Sequence, residues 1–148
     1  MNAVLDCSAA IEIARGTERG GCLRDAIALD MGGKLMAPEL YYAEVGSACS
    51  KYYRAGITDM ATTKAIARDA LDLVDETRPL APLYAEAMAE SLRLGHSIYD
   101  MFYLVLARRE DATLITCDRR LNSLCESEGV DHIVHFELDA SAGSVKFM

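Results

Sequence analysis

Four acidic residues stand at the edges of apolar runs: Asp6 after Val4-Leu5, Glu44 inside PELYYAEVGSACSKYY, Asp100 opening DMFYLVLA, and Asp118 closing TLITCD. Carboxylates that converge in a partly desolvated cleft repel one another and raise their own pKa values unless protons or a metal ion neutralise them. Oxygen ligands without histidine or thiolate partners favour Mg²⁺ or Mn²⁺. Such an ion activates water and offsets charge on a phosphate. Whether the four acids meet depends on the elements that carry them.

Short apolar runs alternate with longer helical patterns. AVLD reads as a first strand, followed by a helix from Ser8 to about Ala14 and a second around CLRDAIALDMGG. KLMA reads as the next strand. Pro38 suits the first turn of a long helix to about Arg54, Gly56 ends it, and Thr58 reads as the N-cap of a helix through Val74. RPLA is a third strand and Pro82 to Leu94 a helix closed by Gly95. Ser97 to Arg109 is a nearly all-apolar helix, TLITC a buried strand, Arg119 to Glu128 a helix closed by Gly129, and HIVHF a last strand. Strands separated by helices imply parallel crossovers, hence an α/β three-layer sandwich: a central parallel sheet of about five strands with helices on both faces. Residues 1–148 read as a single domain, with 139–148 a tail that could be flexible: DASAGS is turn-like and VKFM could add to an edge or an oligomer contact.

In open parallel sheets the ligand site lies beyond the carboxyl ends of the strands, where strand order reverses, and Asp6 and Asp118 both sit at strand ends. Each acid taken singly has a plainer reading. Asp6 and Asp118 could be helix N-caps, and Glu44 a boundary residue beside the stripe Tyr41, Val45, Ala48, Cys49 and Tyr52. Asp100 completes a capping box with Ser97, which is compatible with a second role because the helix dipole helps to keep a first-turn carboxylate ionised. His96 is a loop histidine with no partner in sequence and is read as incidental. Tyr41, Tyr42, Tyr52 and Tyr53 recur at helical spacing, which favours core or dimer packing over base stacking.

Composition narrows the classes. Five cysteines form no CxxC pair, so neither a zinc knuckle nor a disulfide framework is expected. No apolar run is long enough for a bilayer and no leader precedes the first strand, so a cytoplasmic protein that binds no membrane is expected. The net charge of -8 argues against nucleic-acid binding by bulk attraction. A phosphoryl-receiver domain would need an adjacent acidic pair early in the chain, and a haloacid-dehalogenase phosphatase an aspartate two residues after the first, where Ser8 stands.

The segments VLDCSA, APELYYAEVGSA, HSIYDMFYLVLARRE and LITCDRRL, in this order, resemble the PIN domain and in particular the VapC-like toxins of bacterial toxin-antitoxin pairs. The resemblance spans almost the whole chain. It implies that Asp6, Glu44 and Asp100 hold a catalytic metal, with Asp118 as a supporting fourth acid, and that Ser8 and Thr116 are the small hydroxyl residues beside them. Met101 departs from the small residue usual after the Tyr-Asp pair, and Cys7 and Cys117 fill variable positions. A PIN-like sandwich and an Mg²⁺- or Mn²⁺-dependent endoribonuclease follow as expectations. So do a homodimer and a VapB-like antitoxin whose extended tail places a basic side chain in the acidic pocket. In such an enzyme the metal would also reconcile an acidic protein with RNA, and Arg119, Arg120, Lys51 and Arg54 are the candidates to grip flanking phosphates. The rival from another class is a noncatalytic module of the same fold that acts by docking a protein or RNA partner.

Overall fold

Leu5 and Ile115 leave almost no surface to solvent because their strands lie side by side in the middle of the sheet. The structure, a computed structural model, describes residues 1–29, 32–133, 136–139 and 144–147. Strands β1 (Ala3–Leu5), β2 (Leu35–Pro38), β3 (Glu76–Arg78) and β4 (Thr113–Ile115) form one parallel sheet in the order β3-β2-β1-β4. The expected last strand begins beside β4: the Leu114 N–H donates to the Asp131 carbonyl at 2.8 Å, and Leu114 bridges His132 in parallel. Val134 and His135 of that run lie outside the described residues. Among the described residues the sheet therefore has four strands and the start of a fifth line.

Helices α1 (Cys7–Arg15) and α2 (Glu18–Leu29) connect β1 to β2, and α3 (Leu40–Arg54) and α4 (Met60–Asp72) connect β2 to β3. The chain then doubles back: α5 (Ala81–Leu94) and α6 (Ile98–Arg109) carry it across to β4, and α7 (Arg119–Glu128) follows β4. Right-handed crossovers that reverse direction place α1 to α4 on one face and α5 to α7 on the other. The packing agrees, since α1 lies against α2, α3 and α4, whereas α5 packs on α6. Met101 to Ala107 are all buried in α6, which explains why that segment is apolar on every side. Gly20 lets α2 approach α1, because a Cβ there would meet the Glu12 carbonyl.

Some boundaries differ from the sequence reading. Pro38 ends β2 instead of opening α3, and the Glu39 N–H extends the ladder by donating to the Arg78 carbonyl at 2.8 Å. Asp59, not Thr58, caps α4 by accepting from the Thr62 N–H at 2.7 Å, while the Thr58 hydroxyl pairs with Thr63. That helix stops at Asp72, short of Val74. The third strand lies two residues before RPLA, because Pro79 and Leu80 already turn toward α5. α2 begins at Glu18, ahead of Cys22. Near the C-terminus, β5 (Phe136–Asp139) pairs antiparallel with β6 (Ser144–Phe147), so Val145 to Phe147 of VKFM belong to a hairpin. Most of DASAGS, expected as a turn, lies outside the described residues.

Candidate active site

β1 and β4 are neighbours, yet their chains leave toward opposite faces of the sheet, and a cavity of about 590 Å³ opens beyond their carboxyl ends. Asp6, Glu44, Asp100 and Asp118 all line it, along with Ser8, Glu12, Lys51, Tyr52, Tyr103 and Cys117. The four predicted acids thus converge from one strand end on each side of the switch point and from α3 and α6.

Asp6 both caps α1 and lines the cavity. Its Oδ1 accepts from the Ala9 N–H at 3.1 Å and from the Ser8 hydroxyl at 2.6 Å, and its Oδ2 accepts from Thr116 Oγ1 at 2.6 Å. Strand pairing explains the last contact: the Asp6 N–H donates to the Ile115 carbonyl at 3.0 Å, which brings Thr116 alongside. Burial pushes the Asp6 carboxyl up to about 6; its three hydrogen bonds oppose this, and the Asp100 charge adds to it. Glu44 is pushed up to about 7, again chiefly by burial, with the charges of Asp6 and Asp100 adding to the rise. A 2.7 Å hydrogen bond from the Tyr103 hydroxyl to Glu44 Oε1 works against it. The Tyr103 phenol is itself driven upward by burial and by the facing glutamate.

Asp100 lies 2.7 Å from His96 Nε2 through its Oδ2, and does not close the expected capping box. Ser97 still caps α6, accepting from the Tyr99 N–H at 3.3 Å. Asp118 does what an N-cap does: its Oδ1 accepts from the Arg120 and Leu121 N–H groups at 2.8 and 3.2 Å. A small hydroxyl web ties these positions together. Thr116 Oγ1 accepts from the Asp118 N–H at 3.0 Å, and Ser8 Oγ accepts from the Cys117 N–H at 2.9 Å.

Of the basic candidates, Lys51 lines the cavity, while Arg54, Arg119 and Arg120 are exposed and outside its lining. The tyrosines divide. Tyr41 is buried and donates to the Ala70 carbonyl, Tyr52 lies under the Arg15 guanidinium 4.6 Å from its centroid, and Tyr42 and Tyr53 are exposed. Glu12, which faces the cavity four residues after Ser8, escaped the sequence reading, and one helical turn was the available signal. His96, read as incidental, instead meets Asp100, and the tyrosine three residues after Asp100, Tyr103, reaches Glu44.

Among the described residues no three His, Cys, Asp or Glu side chains stand as a ready-made metal site, since each carboxylate is turned to its own donor. The donor set nonetheless fits a hard divalent cation. Most of the polar side chains that line the cavity offer oxygen, two carboxyls are pushed upward, and a cation would relieve both the burial cost and the mutual repulsion.

The model of the PIN domain family matches residues 3–127, which include all four acids. The chain belongs to the PIN family. Two solved structures share the fold. PAE2754 from Pyrobaculum aerophilum is 22% identical, with a TM-score of 0.67 over 89% of this chain and 83% of that one. VapBC2 from Rickettsia felis, solved bound to a DNA fragment from their promoter, is 16% identical, with a TM-score of 0.59 over 88% of this chain and 93% of that one. No curated protein matches. PIN domains are generally nucleases and typically use divalent metals, and the acid-lined cavity at the switch point is this chain's candidate site. Among its described residues no helix is long and apolar enough to cross a membrane.

Proposed function

We propose that this PIN domain is a divalent-metal-dependent endoribonuclease, the toxin of a toxin-antitoxin pair acting in the cytoplasm. The observation that carries the reading is the convergence of Asp6, Glu44, Asp100 and Asp118 on one cavity in which Asp6 and Glu44 are pushed upward and, among the described residues, no arginine lines the wall. Asp6, Glu44 and Asp100 would hold Mg²⁺ or Mn²⁺, with Asp118 in support. When bound, such an ion supplies a more acidic water and charge compensation at a phosphodiester.

The chain's own groups do the positioning. Ser8 in the first turn of α1 and Thr116 just past β4 hold the two oxygens of Asp6, and Tyr103 fixes Glu44 from across the cavity. Lys51, at the cavity wall, is placed to meet a flanking phosphate. The likeness to VapBC2 supports the toxin reading, and a VapB-like antitoxin would occupy the acidic cavity with a basic side chain. Exposed Tyr84, Met88 and Leu92 on α5 are compatible with a homodimer.

The test is cleavage of a diverse RNA pool by the purified chain, freed of any partner, with Mn²⁺ added. Cleavage that disappears with EDTA and in Asp6→Asn supports the enzyme. A folded wild type that cleaves nothing would shift the assignment to the noncatalytic docking module.

A further inference from the structure

Asp100 has two hydrogen-bonding choices. As the fourth residue of Ser97-Ile98-Tyr99-Asp100 it could turn back to the Ser97 N–H and complete a capping box, which would draw its carboxylate to the start of α6. It takes the other choice: Oδ2 meets His96 Nε2 at 2.7 Å, and Oδ1 has no protein partner among the described residues. The carboxylate stays at the cavity.

His96 is built to impose that choice. Its side chain is 6% exposed, and its backbone is held at both ends in the joint between α5 and α6. Gly95 closes α5 with φ of +62°, a left-handed conformation that glycine adopts without strain. The His96 N–H donates to the Ser91 carbonyl at 3.2 Å, and the Ser91 hydroxyl donates to the His96 carbonyl. A ring seated this way has little freedom, and in its Nε2–H tautomer it donates to a carboxylate. Partners of this kind behind metal-binding side chains typically contribute 10- to 100-fold in metal affinity.

Resting on the metal-site reading above, we propose that His96 is a positioning residue that holds Asp100 out of its helix cap, so that the remaining carboxylate oxygen faces a divalent cation in the cavity. His96 itself is neither ligand nor general base.

The test is Mn²⁺ titration calorimetry on the full chain, with Tm recorded beside it. His96→Leu removes the donor, His96→Asn is too short to reach Asp100, and His96→Gln carries an N–H at similar reach. The expected result is Mn²⁺ affinity about 10- to 100-fold weaker in the Leu and Asn variants, largely recovered in Gln. Tm should hold in all three, because a released Asp100 can satisfy the Ser97 cap. Wild-type affinity in folded Leu or Asn variants would overturn the proposal, as would a Gln variant no better than Asn. If the wild type binds no Mn²⁺, the metal site falls and the role of His96 falls with it; binding by wild type and variants alike removes the role alone.

Discussion

Two groups of acidic side chains lie in different parts of this fold, and the chain treats them in opposite ways. On α5, Glu90 is 8% exposed and receives Arg93 Nε at 3.0 Å, Arg93 Nη2 at 2.6 Å and Arg108 Nη2 at 2.9 Å. Arg93 continues to Glu128 on α7, and Arg109 clasps Glu86 and the Pro82 carbonyl. Those arginine bonds, Arg93 first, hold the Glu90 carboxyl down at about 2. In the cavity Glu44 is pushed to about 7 and Asp6 to about 6, and Lys51 makes no ion pair among the described residues. Where carboxylates tie helices together the chain supplies the cations; at the switch point, on the proposed reading, the cation would come from outside.

Substitutions on either side should separate the two groups, most strongly in activity. Asp6→Asn or Asp100→Asn should fold and lose at least about 100-fold of Mn²⁺-dependent RNA cleavage, more than is typical for a partner behind a ligand. Glu90→Gln should cleave like wild type, and equal losses from both sides would end the distinction. Next comes pH. The folded Asp6 pKa of about 6 lies above the ordinary 3.8, so its stabilising contribution is full below pH 3.8 and is lost as pH rises through 6. In metal-free buffer Asp6→Asn should therefore gain on wild type by up to about 3 kcal/mol between pH 4 and 8. Denaturant titrations across that range would read it, and a flat difference would contradict the burial of an uncompensated carboxylate.

Mn²⁺ at about a hundred times its Kd should restore about 2.7 kcal/mol to wild type at pH 7.5. For a chain of this size that is a rise in Tm of roughly 5–10 °C, measured by thermal melt and absent in Asp6→Asn. Glu90→Gln should cost about 2 kcal/mol at pH 7 through its charged hydrogen bonds. The sign with pH reverses here: the folded Glu90 pKa of about 2 lies below 4.5, so the stability is present above pH 4.5 and fades as pH falls toward 2. A deficit that persists unchanged at low pH would mean that packing, not charge, carries Glu90.

Most of the helices, the parallel sandwich and the four acids were legible in the sequence, because apolar runs, closing glycines and strand-end aspartates are local signals. Gly95 and Gly129 end their helices as read, both in the left-handed region. What escaped depends on competition or on contacts across the chain. Thr58 and Asp59 are both acceptable caps, and geometry decided for the carboxylate. The capping-box pattern at Ser97 is real, but a histidine one residue earlier takes its acid. No periodicity reveals that Tyr103 reaches Glu44 or that Arg93 reaches Glu128, since those contacts exist only once α6 meets α3 and α5 meets α7.

If the cavity's raised carboxyls take up a divalent cation as proposed, the metal must displace their protons. Calorimetric Mn²⁺ titrations at one pH in buffers of different ionisation enthalpy count those protons directly. Glu44 near 7 and Asp6 near 6 predict release of roughly one proton per chain at pH 6.5, falling toward none at pH 8.5 and reduced in Asp6→Asn. Mn²⁺ that fails to bind, or binds with no proton released at pH 6.5, would contradict the account.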